Sequence, residues 1–222
     1  MTSQLDGAVE LLDRSLAYTR VVLADVRPDH LARPTPCAGW PLDQLLAHME
    51  DALDAFTEAA AGRVAVDPVP ATSTSIEALR EKACALLGAW SAARPAVDPT
   101  DPATGPASEQ VAVGDLGLDA WLLVATAALE ITVHGWDVAQ TTGRCTRIPD
   151  DLAAGLLPVA REVIDPVDRG PRFASPRPAG TAATSDERLL AWTGRAVGTA
   201  RHMTEPLVGN SSEATARRGL AS

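Results

Sequence analysis

The segment from Leu118 to Thr142 constrains the fold most, because it is long, almost entirely apolar and followed by Gly143. Apolar residues surround its helical axis on all sides, which is typical of a helix buried in a core. Its longest largely apolar run, Ala120 to Leu129, is about half the length needed to cross a bilayer. The sequence therefore predicts a central helix of a bundle rather than a membrane span.

Two titratable side chains interrupt this apolar segment. Between Asp119 and Asp137, Glu130 is the only acid and His134 is the only other titratable residue. Glu130 and His134 are four residues apart, so they lie one turn apart on one face of a helix. A carboxylate buried alone costs on the order of several kcal/mol, so Glu130 needs a cation or a proton beside it. Gly135 permits a close backbone approach next to His134.

A third candidate, His48, lies on an earlier predicted helix that starts at Pro41. At helical spacing the core face of this helix carries leucines, and Glu50 falls on the opposite face together with three aspartates. His48 lies at the border between the faces, beside alanines whose small side chains would let another helix pack closely.

Two interpretations fit these side chains. In the first, His48, Glu130 and His134 form a 2-His-1-carboxylate metal site, with coordination positions left open for water or substrate. Pairs of helices that supply inward ligands are a known way to build metal sites in bundles. In the second, Glu130 and His134 form a hydrogen bond within one helix, and His48 is a boundary histidine. The spacing alone favours the second interpretation, because a Glu and a His four residues apart are a weak pattern.

Helix caps and hydrophobic spacing predict an all-α fold, with five or six helices and no run of alternating strands. The predicted helices span about 3–26, 41–61, 76–94, 118–142, 150–164 and 186–194. One short edge strand is expected from Glu109 to Val113. We expect residues 1–205 to form one helical bundle with a C-terminal helical extension, and residues 206–222 to form a mobile tail.

Charge and cysteine content exclude several classes of protein. The formal net charge is −10, with 19 Lys plus Arg against 29 Asp plus Glu, which argues against nucleic-acid binding. Cys37, Cys84 and Cys145 lie far apart without a CxxC pair, so neither a disulfide framework nor a thiolate zinc site is expected. The first residues are polar and mixed in charge, so we expect a cytoplasmic protein without a membrane partner.

Three stretches carry a resemblance to a known family. TPCAGWPLDQLLAHME (Thr35 to Glu50) and ALEITVHGWDVAQTTG (Ala128 to Gly143) resemble the DinB/YfiT-like metalloenzymes. Among these metalloenzymes, the sequence resembles the branch that comprises the N-terminal domain of mycothiol-dependent maleylpyruvate isomerase and the actinobacterial metal-binding proteins grouped with it. SDERLLAWTGR (Ser185 to Arg195) is similar to the same group, so the resemblance covers about residues 5–195.

The resemblance implies a four-helix bundle that binds a divalent metal, with zinc expected, near one end. The family ligands are a His in the helix after PCxGW, and a Glu and a His four residues apart before GWD. These positions are His48, Glu130 and His134 here. Members of the family activate a low-molecular-weight thiol, mycothiol in actinobacteria, for transfer or isomerisation. The full-length isomerase has a second, sterol-carrier-like domain, for which this sequence is too short, so maleylpyruvate isomerisation itself is not expected.

Four further residues have weaker signals. Asp137 is the candidate catalytic residue, because it could orient a ligand histidine or carry a proton, although it could equally be solvated near the helix end. Trp40 and Trp136 are expected to pack against the helices that carry the ligands. Cys37 has no base nearby in the sequence, which favours a structural thiol over a nucleophile.

Three functions are consistent with these residues. The first is a divalent-metal-dependent thiol transferase or isomerase with mycothiol as cosubstrate and a small-molecule substrate. The second is a thiol-independent metalloenzyme for hydrolysis, elimination or cyclisation in a biosynthetic pathway. The third is a non-catalytic metal-binding or small-ligand-binding bundle. A homodimer through helix faces is consistent with each of them.

Overall fold

The computed structural model describes residues 3–37, 39–64, 75–93, 110–113, 116–170 and 173–196. Within these ranges the chain is mainly helical, which confirms the all-α prediction. The helices are α1 (Gln4–Leu23), α2 (Leu42–Ala60), α3 (Ile76–Ala92), α4 (Ala120–Thr142), α5 (Asp150–Val163) and α6 (Ser185–Trp192). The predicted tail 206–222 lies outside the described residues.

The first four helices form a bundle in which each helix has two main neighbours. α4 packs against α1 and α2, while α3 packs against α2 and α1. α5 covers α4 and α1, and α6 packs against α5. This is the arrangement of a four-helix bundle with two additional helices on one side.

α4 is the central helix. From Ala127 to Ala139, a stretch that the structure describes completely, every residue except Glu130 is buried. The helix is apolar enough to cross a membrane, with a mean hydropathy of 1.3 over 18 residues, but 78% of that stretch is buried inside the bundle. Its apolar surface on all sides is explained by the helices that surround it.

α1 and α4 approach closely at Gly135, as its place in the sequence suggested. A Cβ atom at Gly135 would lie 2.6 Å from Oγ1 of Thr19. The same hydroxyl donates a 3.0 Å hydrogen bond to the carbonyl oxygen of Ile131. This contact fixes α4 against α1 within one turn of both Glu130 and His134.

Three short strands precede α4: β1 (Arg63–Val64), β2 (Gln110–Val113) and β3 (Leu116–Asp119). β2 pairs with β1 in parallel and with β3 in antiparallel orientation. The sequence predicted a strand here, but β2 lies between β1 and β3 and is not the expected edge strand. The assignment of residues 118–119 to the following helix was also wrong. Because the backbone of β3 pairs with β2, α4 begins only at Ala120.

Two details of α2 also differ from the prediction. Pro41 precedes the helix in an extended conformation, so it is the capping residue rather than the first helical residue. Glu50 was placed on the solvent face, but α3 packs against α2 and leaves Glu50 only 6% exposed. Lys82 of α3 compensates the charge of this carboxylate, with its Nζ 2.7 Å from Oε1 of Glu50. The same Nζ lies 2.6 Å from Oδ2 of Asp54.

Candidate metal centre

The loop before α2 determines how His48 is held. The backbone N–H and the hydroxyl of Thr35 donate to the carbonyl oxygen of Trp40 at 3.1 and 2.9 Å. Gly39 has a φ of 88°, which turns the chain so that the backbone N–H of Trp40 reaches the carbonyl of Cys37. The indole of Trp40 then packs edge-on against His48, with ring centroids 4.9 Å apart. Hydrogen bonds among the described residues Thr35, Cys37 and Trp40 thus close this loop, and the loop packs an aromatic ring against the histidine.

Three side chains from two helices converge at one point. Oε1 of Glu130 on α4 accepts hydrogen bonds from Nε2 of His48 on α2 at 2.7 Å and from Nε2 of His134 at 3.0 Å. One ligand atom from each residue lies within 4.8 Å of the others. The two imidazole rings are 5.1 Å apart and nearly perpendicular, at 85°. The structure therefore brings together the three residues that the sequence singled out.

One side of this cluster is open and the other is closed. The side chains of His48 and Glu130 are 36% and 27% exposed, whereas that of His134 is 8% exposed. A small molecule can therefore approach from the side of His48 and Glu130, while His134 is enclosed by the bundle.

A buried charged pair lies behind His134. Nδ1 of His134 donates to Asp137 at 3.0 Å, and Asp137 is inaccessible to solvent. Arg195 donates to the same carboxylate from Nε at 3.3 Å and from Nη2 at 2.8 Å. Burial excludes the solvated alternative for Asp137. Asp137 instead holds the ring of His134 through Nδ1, while Nε2 of the same ring contacts Glu130.

Arg195 is a residue of the site that no motif in the sequence indicates. Gly194, with a φ of 82°, turns the chain after α6, and a Cβ atom there would lie 2.7 Å from Cβ of Ala174. The turn directs Arg195 onto Asp137, a residue 58 positions earlier in the chain. An indirect signal existed, because an acid in an apolar helix requires a cation, but the sequence does not show which of its arginines supplies it.

Comparison with known proteins adds a family to this geometry. The sequence profile named Mycothiol maleylpyruvate isomerase N-terminal domain matches residues 12–139, more than half of the chain. The chain belongs to this family. The matched range contains His48, Glu130, His134 and Asp137. It ends before Arg195, so the guanidinium partner of Asp137 comes from outside the range that the family profile matches.

Relatives with curated names extend the likeness beyond the profile. Two uncharacterized proteins of Mycobacterium tuberculosis, from strains CDC 1551 / Oshkosh and ATCC 25618 / H37Rv, are each 29% identical to this chain over 180 residues. Each alignment covers 79% of this chain and 91% of the relative. No solved structure matches the chain significantly. Neither relative's name states an activity, so the chemistry has to be argued from the site.

Hydrogen bonds set the charges in this member of the mycothiol maleylpyruvate isomerase N-terminal domain family. Burial alone would raise the pKa of the Glu130 carboxyl, but hydrogen bonds from His134 and His48 outweigh burial and hold that pKa well below its usual range. Burial alone would lower the pKa of His134, but hydrogen bonds to Asp137 and Glu130 raise it to about 9. At neutral pH the site therefore combines a carboxylate with a protonated histidine.

The donor set fits a divalent cation. Two imidazole nitrogens and one carboxylate oxygen are ligands that zinc and related divalent metals accept, and three protein ligands leave coordination positions open. The Nε2 atoms of His48 and His134 already point at the same carboxylate oxygen of Glu130. A cation bound among them would displace the protons on these nitrogens, and Asp137 would continue to hold His134 through Nδ1.

Cys37 lies in the loop beside this cluster but is not among the converging ligand atoms. Burial raises the pKa of its thiol, so the thiol is protonated at neutral pH and is a poor nucleophile. All three cysteines are free, as their spacing predicted. Trp136 is 5% exposed and packs in the core.

Proposed function

We propose that this chain is a divalent-metal-dependent enzyme that activates a low-molecular-weight thiol, mycothiol, for transfer or isomerisation on a small molecule. The observation that carries the proposal is the convergence of His48, Glu130 and His134 in a domain whose family is named for a mycothiol enzyme. We propose zinc as the metal, because two nitrogens and one carboxylate oxygen with an open position form a typical catalytic zinc site.

Each residue of the site has a distinct part in this proposal. The metal, when bound, would supply a Lewis acid that coordinates a thiol sulfur and favours loss of its proton at neutral pH. His48 and Glu130 lie on the open side of the cluster, where a thiol can enter. Asp137 holds His134 by a hydrogen bond. Arg195 neutralises Asp137, so this buried carboxylate does not compete with Glu130 for the cation.

The contribution of Glu130 can be tested by replacing it with glutamine. Glu130→Gln should weaken zinc binding by at least about tenfold, because a neutral amide compensates the charge of the cation less than a carboxylate does. Addition of a chelator should lower the melting temperature of the parent protein but hardly that of the variant, since a bound ligand stabilises the native state. Glu81→Gln, an exposed change on α3, is the matched control. A Glu130 variant with parental affinity and the parental chelator response would show that Glu130 is not a ligand.

The use of a thiol can be tested with the cobalt-substituted protein. We expect a sulfur-to-metal charge-transfer band when mycothiol is added, because the three protein ligands leave a position open for its sulfur. An analogue that lacks the sulfur should produce no such band and should bind more weakly. If the spectrum does not change, or if the analogue binds equally well, the protein is a thiol-independent metalloenzyme or a metal-binding protein.

A further inference from the structure

A cavity of about 430 Å³ lies inside the bundle beside the metal cluster. All four bundle helices line it, mostly through leucines of α1, α2 and α3 together with Met49 and Ile131. Small-molecule sites are typically apolar cavities of about 300–1,000 Å³ with a few polar groups, and this cavity falls in that class.

Small side chains keep the cavity open. Ala17 of α1, Ala52 of α2 and Ala83 of α3 line it at places where larger side chains would fill the space. Ala17 is exposed, whereas Leu53 and Leu79 in the same wall are buried. In the part of the chain that the structure describes, the cavity therefore runs from an opening between α1 and α3 into the core.

The inner wall of the cavity includes a residue of the metal cluster. Glu130 lines the cavity, and its Oε1 is the atom that meets both histidines. A molecule in the cavity would therefore lie against the proposed metal centre from the interior of the bundle. The cavity is distinct from the open side of the cluster, because His48 lies on the open side and does not line the cavity.

The charges around the opening favour an anion. Arg20 and Arg80 line the cavity near its opening, where Asp13 is the acid among the lining residues. The other lining acid, Glu130, lies at the inner end of the cavity. Arg20 is exposed, and Arg80 contacts Glu77 only at 3.5 Å, with 41% of its side chain exposed. Guanidinium groups bind carboxylates well, and these two arginines lie at the edge of an apolar space.

We propose that this cavity binds the apolar body of a carboxylic acid. The carboxylate lies at the opening near Arg20 and Arg80, and the hydrocarbon part extends among the leucines toward Glu130. The assignment of this acid as the substrate rests on the proposed function, because its far end would meet the thiol at the metal. Binding of the acid itself requires neither metal nor thiol.

Titration calorimetry of the full-length, metal-free protein with octanoate tests the binding. We expect octanoate to bind with a negative heat-capacity change, the mark of buried apolar surface. Ala83→Phe fills the cavity and should weaken binding by at least about tenfold, while Ala85→Phe, on an exposed position of the same helix outside the lining, should change it less than about twofold. Ala17→Phe narrows the opening from an exposed position, so it tests the same point without disturbing the core.

A second comparison tests the charges. The double change Arg20→Gln plus Arg80→Gln should weaken octanoate binding by at least about tenfold and leave binding of neutral 1-octanol within about twofold. The proposal is overturned if octanoate does not bind, if filling the cavity leaves its affinity unchanged, or if the arginine changes affect both probes equally. Because no metal or thiol is present, failure of the thiol titration would not affect this result, and failure here would not affect the metal site.

Discussion

The double change His48→Ala plus His134→Ala will reduce the metal content of the purified protein from about one ion per chain to less than about a tenth of that. The two imidazoles are two of the three proposed ligands, and the remaining carboxylate of Glu130 cannot hold a cation alone at useful affinity. Elemental analysis after purification without chelators measures this directly.

The control for this experiment is His202→Ala, a histidine outside the described residues that has no part in the proposal. It should keep the metal content of the parent protein. Equal metal in the parent and in the double variant would remove His48 and His134 from the site. The cluster of His48, Glu130 and His134 would then be a network of hydrogen bonds, the alternative that the spacing left open.

Removing the cation behind the site should cost the most stability. Arg195→Ala is expected to lower the free energy of unfolding by about 3–5 kcal/mol, because it leaves the carboxylate of Asp137 buried without its guanidinium partner. Asp137 has no exposed side-chain surface and that of Arg195 is 8% exposed, so solvent cannot replace the lost contact. Urea unfolding of the metal-free protein, read by circular dichroism, gives the difference.

Two comparisons separate this effect from a general loss of packing. Arg188→Ala, an exposed arginine on α6, should change the free energy of unfolding by less than about 0.5 kcal/mol. Adding Asp137→Asn to Arg195→Ala should recover part of the loss, because the uncompensated charge is then gone. An Arg195→Ala protein as stable as its parent would show that Asp137 is compensated by His134 alone.

The two experiments test different parts of one arrangement. The histidine variants change two of the proposed ligands, which lie within the range matched by the family profile, residues 12–139. The Arg195 variant changes a group that comes from beyond that range and acts on the ligands through Asp137. If the Arg195 variant keeps its fold without metal but binds metal more weakly than the parent protein, the segment after α6 that carries Arg195 belongs to the site.

Local patterns in the sequence determined the helices and indicated the candidate ligand set. An apolar segment with one acid and one histidine a turn apart is sufficient to predict a buried helix that carries both groups on one face. His48 could be added because PCxGW and HGWD resemble motifs of one family. These properties depend on residues close to one another along the chain, and helical periodicity makes such neighbours predictable.

Only the tertiary structure decided what covers each helix face. Glu50 is buried because α3 packs on it, and the buried Asp137 is paired because Arg195 reaches it from the end of α6. Residues 118–119 are extended because they pair with β2, although they read as the start of a helix. The cavity beside Glu130 depends on alanines of three separate helices. A helical wheel places a residue on a face, but burial, pairing and open space depend on segments far away in the sequence, and only their packing brings those segments together.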